Sequence, residues 1–333
     1  MRAIERFDGA ELFFSICEQL RGKRVGIFGH LYPDGDCLGA QIAMHDILTR
    51  CGAVPFMGLQ DEPIAANLRW LSEPGELVRA EEIVADEYIF VDCGIMVRAG
   101  DFAKQLPRPM MLIDHHVSGD RFAHYNFFYP EAAAACEIIA DFVDQKKWPI
   151  GERAATALYV GIVTDTGKFS YSSTAARTLF LASQLALQGA DPHRIFVEIY
   201  ENESREKFAL LQRFLASLKF YADGAICVGR LTERDFAETG TAAAADTEGL
   251  VNFPRTIKGV RVAAIAYDRE GKTRLSLRSD DPELRLDLFA AKFFGGGHFC
   301  AVAFTVNDPY EKFEKTFINA LQAHLDSFSG GHS

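Results

Sequence analysis

Three apolar runs in the first half of the chain stop on acids or imidazoles: VGIFGH (25–30), EYIFVDC (87–93) and PMMLIDHH (109–116). Runs this short and this continuously apolar read as strands buried on both faces. A further strand, VPFMGL (54–59), and helical patterns such as CLGAQIAMHDILTRCG (37–52) alternate with them. That alternation predicts an α/β domain built on a parallel sheet. In such a sheet the carboxyl ends of the strands share one edge, and ligands bind beyond it. His30, Asp92, Asp114, His115 and His116 are thereby delivered to one place. The LYPDGD loop after the first strand adds Asp34 and Asp36, and Asp165 closes the helical run RAATALYVGIVTDTG (153–167).

Taken singly, each residue has a plain structural use. Asp36 can cap the helix that starts at Cys37, and Asp34-Gly35 can make a turn. A lone His30 reads as a core histidine, and Asp165 can close a helix end. Together they are harder to dismiss, because almost no Lys or Arg lies among them to balance the acids. Four carboxylates brought that close repel strongly. Divalent cations remove the difficulty. Carboxylate and imidazole ligands without thiolate pairs suit Mn²⁺, Mg²⁺, Co²⁺ or Zn²⁺, and the set exceeds what one ion needs. A two-metal site, with ions roughly 3.5–4 Å apart, would use all of it. Cys37 and Cys93 adjoin these positions and read as small fillers.

The rest of the chain divides in two. EAAAACEIIADFVDQKK (131–147), the polar stretch after Cys93 and nearly everything from 174 to 221 read as helical, the last as a long connector. After 224 the runs AICVGRL, VRVAAIAYDR, KTRLSLRS and CAVAFTV are β-rich, with helices at DLFAAKF and at the C-terminus. We therefore expect a first domain over 1–188, a helical linker over 189–221 and a smaller mixed α/β domain over 222–333. The segment 241–246 reads as a loop or a helix start.

The 333-residue chain carries a net charge of −11. A protein that grips long nucleic acid through many phosphates is usually basic, so a long duplex is not the expected partner. A local site for a small anion remains open. The seven cysteines are scattered and none forms a CxxC, which fits a reducing compartment. No apolar stretch is long enough to span a bilayer and the N-terminus lacks a clean apolar run, so a cytoplasmic protein with no membrane partner is expected.

HLYPDGDCLGA, IFVDCG, LIDHHVSG and VTDTGKFSYSST, in that order, resemble the four motifs of the DHH phosphoesterase family. SLRS, FGGGHFCAVAF and EGLVNFPRTIKGVRVA resemble the associated DHHA1 substrate domain. Size and layout are most similar to the nanoRNase/pAp phosphatase group. The resemblance implies that His30, Asp34 and Asp92 hold one metal, and Asp36, Asp92, His115 and Asp165 the other, with Asp92 shared. It implies His116 at the scissile phosphate and Asp114 orienting a histidine. The residues alone do not separate His115 from His116.

Between 255 and 292 nine Lys and Arg face six acids, a local excess of three in an acidic chain. Such a cluster is usually a solvated face. Gly295, Gly296 and Gly297 can let backbone amides approach a phosphate. The family layout sets Arg278 near them, and Arg278 and His298 are the expected grip on a 5′-phosphate. Phe299 stands where family members often carry a basic residue.

The implied activity is hydrolysis by a two-metal-activated hydroxide, with Mn²⁺ the first expectation and Mg²⁺, Co²⁺ or Zn²⁺ as alternatives. The implied substrates are RNA of two to five residues, cut to mononucleotides, and 3′-phosphoadenosine 5′-phosphate (pAp), cut to AMP, each held in the cleft between domains. Alternatives are a linear or cyclic dinucleotide phosphodiesterase, an inorganic pyrophosphatase, which the GGGH segment disfavours, and a nucleotide sensor without turnover. The family resemblance is compatible with a homodimer.

Overall fold

The computed structural model describes residues 4–60, 64–117, 119–242, 247 and 249–329, without the side chains of His298 and Ser329. Most of the 241–246 segment lies outside the described residues. The chain forms two compact units, residues 1–202 and 203–333.

In the first unit, β1 (Arg24–Phe28), β2 (Val54–Leu59), β3 (Leu77–Arg79), β4 (Glu87–Val91), β5 (Met111–Asp114) and β6 (Tyr125–Phe128) form one sheet. Its order is β3-β2-β1-β4-β5-β6, and every pairing is parallel. The continuous apolar runs are explained by cover on both faces. Ile27, Ile89 and Ile113 enter one core, while Phe28, Phe90 and Leu112 enter the other, all fully buried. Strands β3 and β6 were not foreseen; at three and four residues they are too short to show a period.

Helices α1 (Ala10–Gln19), α2 (Gly35–Cys51), α3 (Ala135–Lys146), α4 (Glu152–Asp165), α5 (Ala176–Leu187) and α6 (Pro192–Tyr200) complete this unit. Helices α2 and α4 pack unusually close. A Cβ on Gly39 would lie 2.4 Å from the carbonyl oxygen of Ala157, so only glycine fits there. The polar stretch after Cys93, expected to be helical, holds only two short 3-10 segments, Met96–Ala99 and Asp101–Gln105. Gly100, at φ 96° and ψ 172°, separates them and prevents a continuous helix.

The long helix expected toward 221 is also broken. Helix α6 ends at Tyr200, and Ser204 then caps α7 (Arg205–Ala216) by accepting the N–H of Lys207. Ile195 and Ile199 of α6 are buried in the first unit's core. Leu210 and Phe214 of α7 are buried in the second unit's. The residues from 219 to 221 are strand, not helix.

The second unit has a mixed sheet of β7 (Lys219–Tyr221), β8 (Ile226–Leu231), β9 (Val262–Arg269), β10 (Lys272–Arg278), β11 (Gly296–His298) and β12 (Ala301–Val306). The order is β11-β12-β10-β9-β8-β7, with only β8 and β9 parallel. Helices α8 (Glu233–Thr239), α9 (Asn252–Arg255), α10 (Leu286–Ala291) and α11 (Tyr310–Ser329) accompany it. No described helix is long and apolar enough to cross a membrane.

Candidate metal centre

The strand order of the first unit reverses between β1 and β4, the point where ligands bind in open parallel sheets. His30 and Asp92 stand on either side of that point. Phe28 pairs with Phe90, so His30 and Asp92 both lie two residues beyond a matched pair. Asp92 adopts φ 50°, a left-handed conformation that Asp tolerates better than most side chains. Its N–H donates to the carbonyl of Ile113 at 2.9 Å, tying it to the strand that ends in Asp114.

The imidazoles and acids converge as the sequence predicts. His30 Nε2 lies 3.2 Å from Asp92 Oδ2 and 3.6 Å from Asp34 Oδ2. His115 Nε2 lies 3.2 Å from Asp165 Oδ2, 3.5 Å from Asp92 Oδ1 and 3.6 Å from Asp36 Oδ2. The two oxygens of Asp92 thus face different histidines. Behind the rings, His30 Nδ1 lies 2.6 Å from the carbonyl of Leu31, and His115 Nδ1 lies 3.3 Å from that of Ala132. Each carbonyl can accept an Nδ1 proton, which leaves Nε2 as the ligating nitrogen.

Two short-range readings change. Asp34, not Asp36, caps α2: its Oδ1 accepts the N–H groups of Asp36 and Cys37 at 3.1 and 3.0 Å. Asp36 is fully buried and serves another helix. Its oxygens accept the N–H groups of Ala135 and Cys136, in the first turn of α3, at 2.6 and 2.8 Å. Gly161 admits this approach, since a Cβ there would come 2.8 Å from Asp36 Oδ1. Asp165 ends α4, where the negative end of the helix dipole disfavours a carboxylate.

The charges do not balance without protons or cations. Burial, with Asp92 and Asp165 alongside, pushes Asp36 well above the usual carboxylate range. Burial, with Asp34 and Asp92 adding to it against His115, pushes Asp165 up to about 6. Burial also opposes charge on Asp92, but His115 and His30 hold it below the usual range. His30 rises to about 11 because Asp34 and Asp92 outweigh its burial. Bound cations would replace these protons, since ligating imidazoles and carboxylates must be deprotonated.

The donor set fits divalent ions. Three groups, Asp36 with His115 and Asp165, Asp92 with His115 and His116, and His30 with Cys37 and Asp92, each bring their donor atoms within 4.8 Å of one another. His30 Nε2 and Asp92 Oδ1 are buried without a hydrogen-bond partner. Burial, with Asp92 and Asp34 alongside, holds the Cys37 thiol well above its ordinary range, which makes it a weaker donor than the carboxylates and imidazoles around it. Oxygen and nitrogen donors remain, which suit Mn²⁺, Mg²⁺, Co²⁺ or Zn²⁺.

His116, 3.5 Å from Asp92 Oδ1 through its Nδ1, has nearer partners. Its Nδ1 lies 2.8 Å from Asp114 Oδ1, and its Nε2 lies 2.7 Å from a terminal nitrogen of Arg98. The expectation of almost no basic partner is therefore corrected. Arg98 sits in the 3-10 segment Met96–Ala99 after β4, within the stretch that the sequence reads as helical. Its position just beyond a strand end could have marked it. The carbonyl of Arg98 accepts the N–H of Leu31 at 2.7 Å. The amide nitrogen of Gln60 donates to the carbonyls of Gly29 and Ala99 at 3.2 and 3.0 Å. These bonds fasten the Arg98 turn to the loop carrying His30.

In the second unit, Arg278 and His298 both pair with Ala301 of β12, so the register sets them in one row. The side chain of His298 lies outside the described residues. The three glycines differ. A Cβ on Gly295 or Gly297 would come 2.5 or 2.2 Å from a β12 carbonyl oxygen, whereas one on Gly296 meets nothing within 4 Å. Gly295 and Gly297 thus serve sheet packing, and Gly296 alone faces open space. Within the basic segment, Arg261 pairs with Asp281, Arg269 with Glu270 and Arg285 with Asp287. The guanidinium of Arg285 lies 4.3 Å over the ring of Phe299.

The chain is 28% identical over 277 residues to a probable bifunctional oligoribonuclease and PAP phosphatase of Streptococcus mutans, covering 82% of this chain and 86% of that protein. It is 29% identical over 293 residues to the bifunctional oligoribonuclease and PAP phosphatase of Mycoplasma pneumoniae, covering 84% and 86%. The crystal structure of an exopolyphosphatase-related protein from Bacteroides fragilis, 23% identical, superposes with a TM-score of 0.88 over 98% of this chain and 100% of that one. This last likeness shows the fold. The profile of the DHH family, N-terminal domain, matches residues 24–162, the stretch that holds β1, β4, β5 and all the clustered acids and histidines except Asp165. The likeness to the DHH family is thus carried by residues 24–162, which match its N-terminal domain.

Proposed function

We propose that the protein is a metal-dependent phosphoesterase that hydrolyses RNA of two to five residues to mononucleotides and pAp to AMP. The observation that carries this reading is the convergence of Asp34, Asp36, Asp92 and Asp165 on His30 and His115 at the sheet's switch point. His30, Asp34 and Asp92 would hold one divalent ion, and Asp36, Asp92, His115 and Asp165 a second. Such ions, Mn²⁺ foremost, activate water at neutral pH and offset charge on a phosphoryl group. Asp92, whose two oxygens face different histidines, would be the shared ligand. Asp114 and His116 serve the phosphoryl group rather than a metal. Arg278, His298 and the backbone at Gly296 take the 5′-phosphate in the second unit. The names of the relatives support both substrate classes.

The test is incubation with Mn²⁺ and a panel of pAp, pApA, cyclic dinucleotide, RNA of two to twenty residues and pyrophosphate, followed by separation of products. Mononucleotides from the shortest RNAs and AMP from pAp are expected. Cleavage confined to pyrophosphate, or binding of nucleotides with no product, overturns the reading.

A further inference from the structure

Beside the acid cluster the guanidinium of Arg98 meets His116, and its geometry restricts what that histidine can do. An arginine side chain has five N–H donors and no acceptor. The 2.7 Å contact between Arg98 and His116 Nε2 is therefore a bond in which Arg98 donates and Nε2 accepts. The proton on this imidazole then lies on Nδ1, which faces Asp114 Oδ1 at 2.8 Å and Asp92 Oδ1 at 3.5 Å. Asp114 is fully buried, and with the imidazole proton on Nδ1 its Oδ1 is the acceptor. Asp114, His116 and Arg98 thus form a directed chain, carboxylate to imidazole to guanidinium. Its outer end is the side chain of the partly exposed Arg98.

The placement of that end is built, not incidental. The carbonyl of Arg98 is bonded by Leu31, next in sequence to His30. Gln60, itself buried, clamps the residue after Arg98 to the end of β1. Arg98 and His116 are both partly exposed, while Asp114 behind them is fully buried.

Resting on the proposed phosphoesterase activity, we propose that Arg98 supplies the hydrogen-bond donor to the substrate's phosphoryl oxygens, with His116 and Asp114 behind it as its support. A guanidinium fork matches two phosphoryl oxygens in a way an ammonium does not. Held in advance, it meets developing charge without reorganising. In this arrangement His116 Nε2 is occupied as an acceptor and does not donate to the leaving oxygen.

The experiment compares the wild type with Arg98→Ala and Arg98→Lys, all loaded with diamagnetic Mg²⁺. Nitrogen-15 spectra of the histidine rings should show His116 protonated at Nδ1 in the wild type, with that preference lost in Arg98→Ala. The kcat on pAp should fall on the order of 10²-fold in Arg98→Ala, recover little in Arg98→Lys, and recover in part with added guanidinium. Mg²⁺ affinity, by calorimetry, should stay within about twofold, as expected for a group that acts on phosphate and not on metal. A wild-type His116 protonated at Nε2, or an unchanged rate in Arg98→Ala, overturns the proposal. If the wild type turns over none of the phosphoesters, the proposed function falls by itself. Inorganic phosphate titrated into the Mg²⁺-loaded proteins then decides: about tenfold weaker binding by Arg98→Ala supports the role, and equal binding overturns it.

Discussion

Asp36 and Cys136, a hundred residues apart, are joined by a 2.8 Å hydrogen bond from the Cys136 N–H to the Asp36 carboxylate. The helix that this bond caps, α3, has no capping side chain of its own. Asp36→Ala should therefore unfold more easily even without metal, because two buried N–H groups lose their acceptors. The expected loss is about 1–2 kcal/mol, read from urea unfolding in the presence of a chelator.

Asp92→Asn keeps a side chain that tolerates φ 50° and removes the charge shared by His30 and His115. The variant should retain native circular dichroism. Partners that merely support a metal ligand are worth about 10–100-fold, so losing a shared ligand should cost at least about 100-fold in hydrolysis. Full turnover with saturating Mn²⁺ would remove Asp92 from the centre.

The metal-free protein should lose stability as pH rises. Asp165 titrates at about 6 folded against an ordinary 3.8, so the folded state favours its protonated form and that advantage fades between these values. His30 titrates at about 11 against 6.5, so its contribution is whole below 6.5 and lost as pH rises toward 11. Melting curves from pH 4 to 9 in chelator should fall steadily, and added Mn²⁺ should raise the melting temperature more at pH 8 than at pH 5.

Gly297→Ala and Gly296→Ala should part company. The first forces a Cβ to within 2.2 Å of the Ala301 carbonyl at φ 142°, and should destabilise by about 1–3 kcal/mol. The second enters open space and should leave the melting temperature unchanged. Equal melting of both variants would show that β11 is not held by close packing against β12.

Arg278→Ala should weaken binding of 5′-phosphorylated dinucleotides by about tenfold, the worth of a charge-assisted hydrogen bond. Unphosphorylated dinucleotides should bind nearly as before. Calorimetry on the pair separates the two, and equal losses would place the phosphate grip elsewhere.

The parts of this fold legible in the sequence are those with period and length. The four strands β1, β2, β4 and β5 announced themselves by apolar runs that feed two cores, and the acids at their ends followed from the sheet's polarity. What was hidden lay in short or long-range features. β3 and β6 are too brief for a period. The break after Tyr200 depended on Ser204, whose capping role a strong helical pattern on both sides conceals. Asp36 looked like a local cap because sequence shows only neighbours, and its true partners are Ala135 and Cys136. Arg98 was overlooked for the same reason: nothing in IMVRAG tells that the turn folds back onto His116.

The clamp made by Gln60 has a consequence for how this centre can drift. One amide nitrogen joins the end of β1 to the turn that carries Arg98, so His30 and Arg98 move as a pair. A change in loop length or backbone path on either side displaces both together, and neither can be adjusted alone. The spacing between the His30 imidazole and the Arg98 guanidinium is thereby written into the backbone, and a new geometry would have to be found on the other side of the cluster.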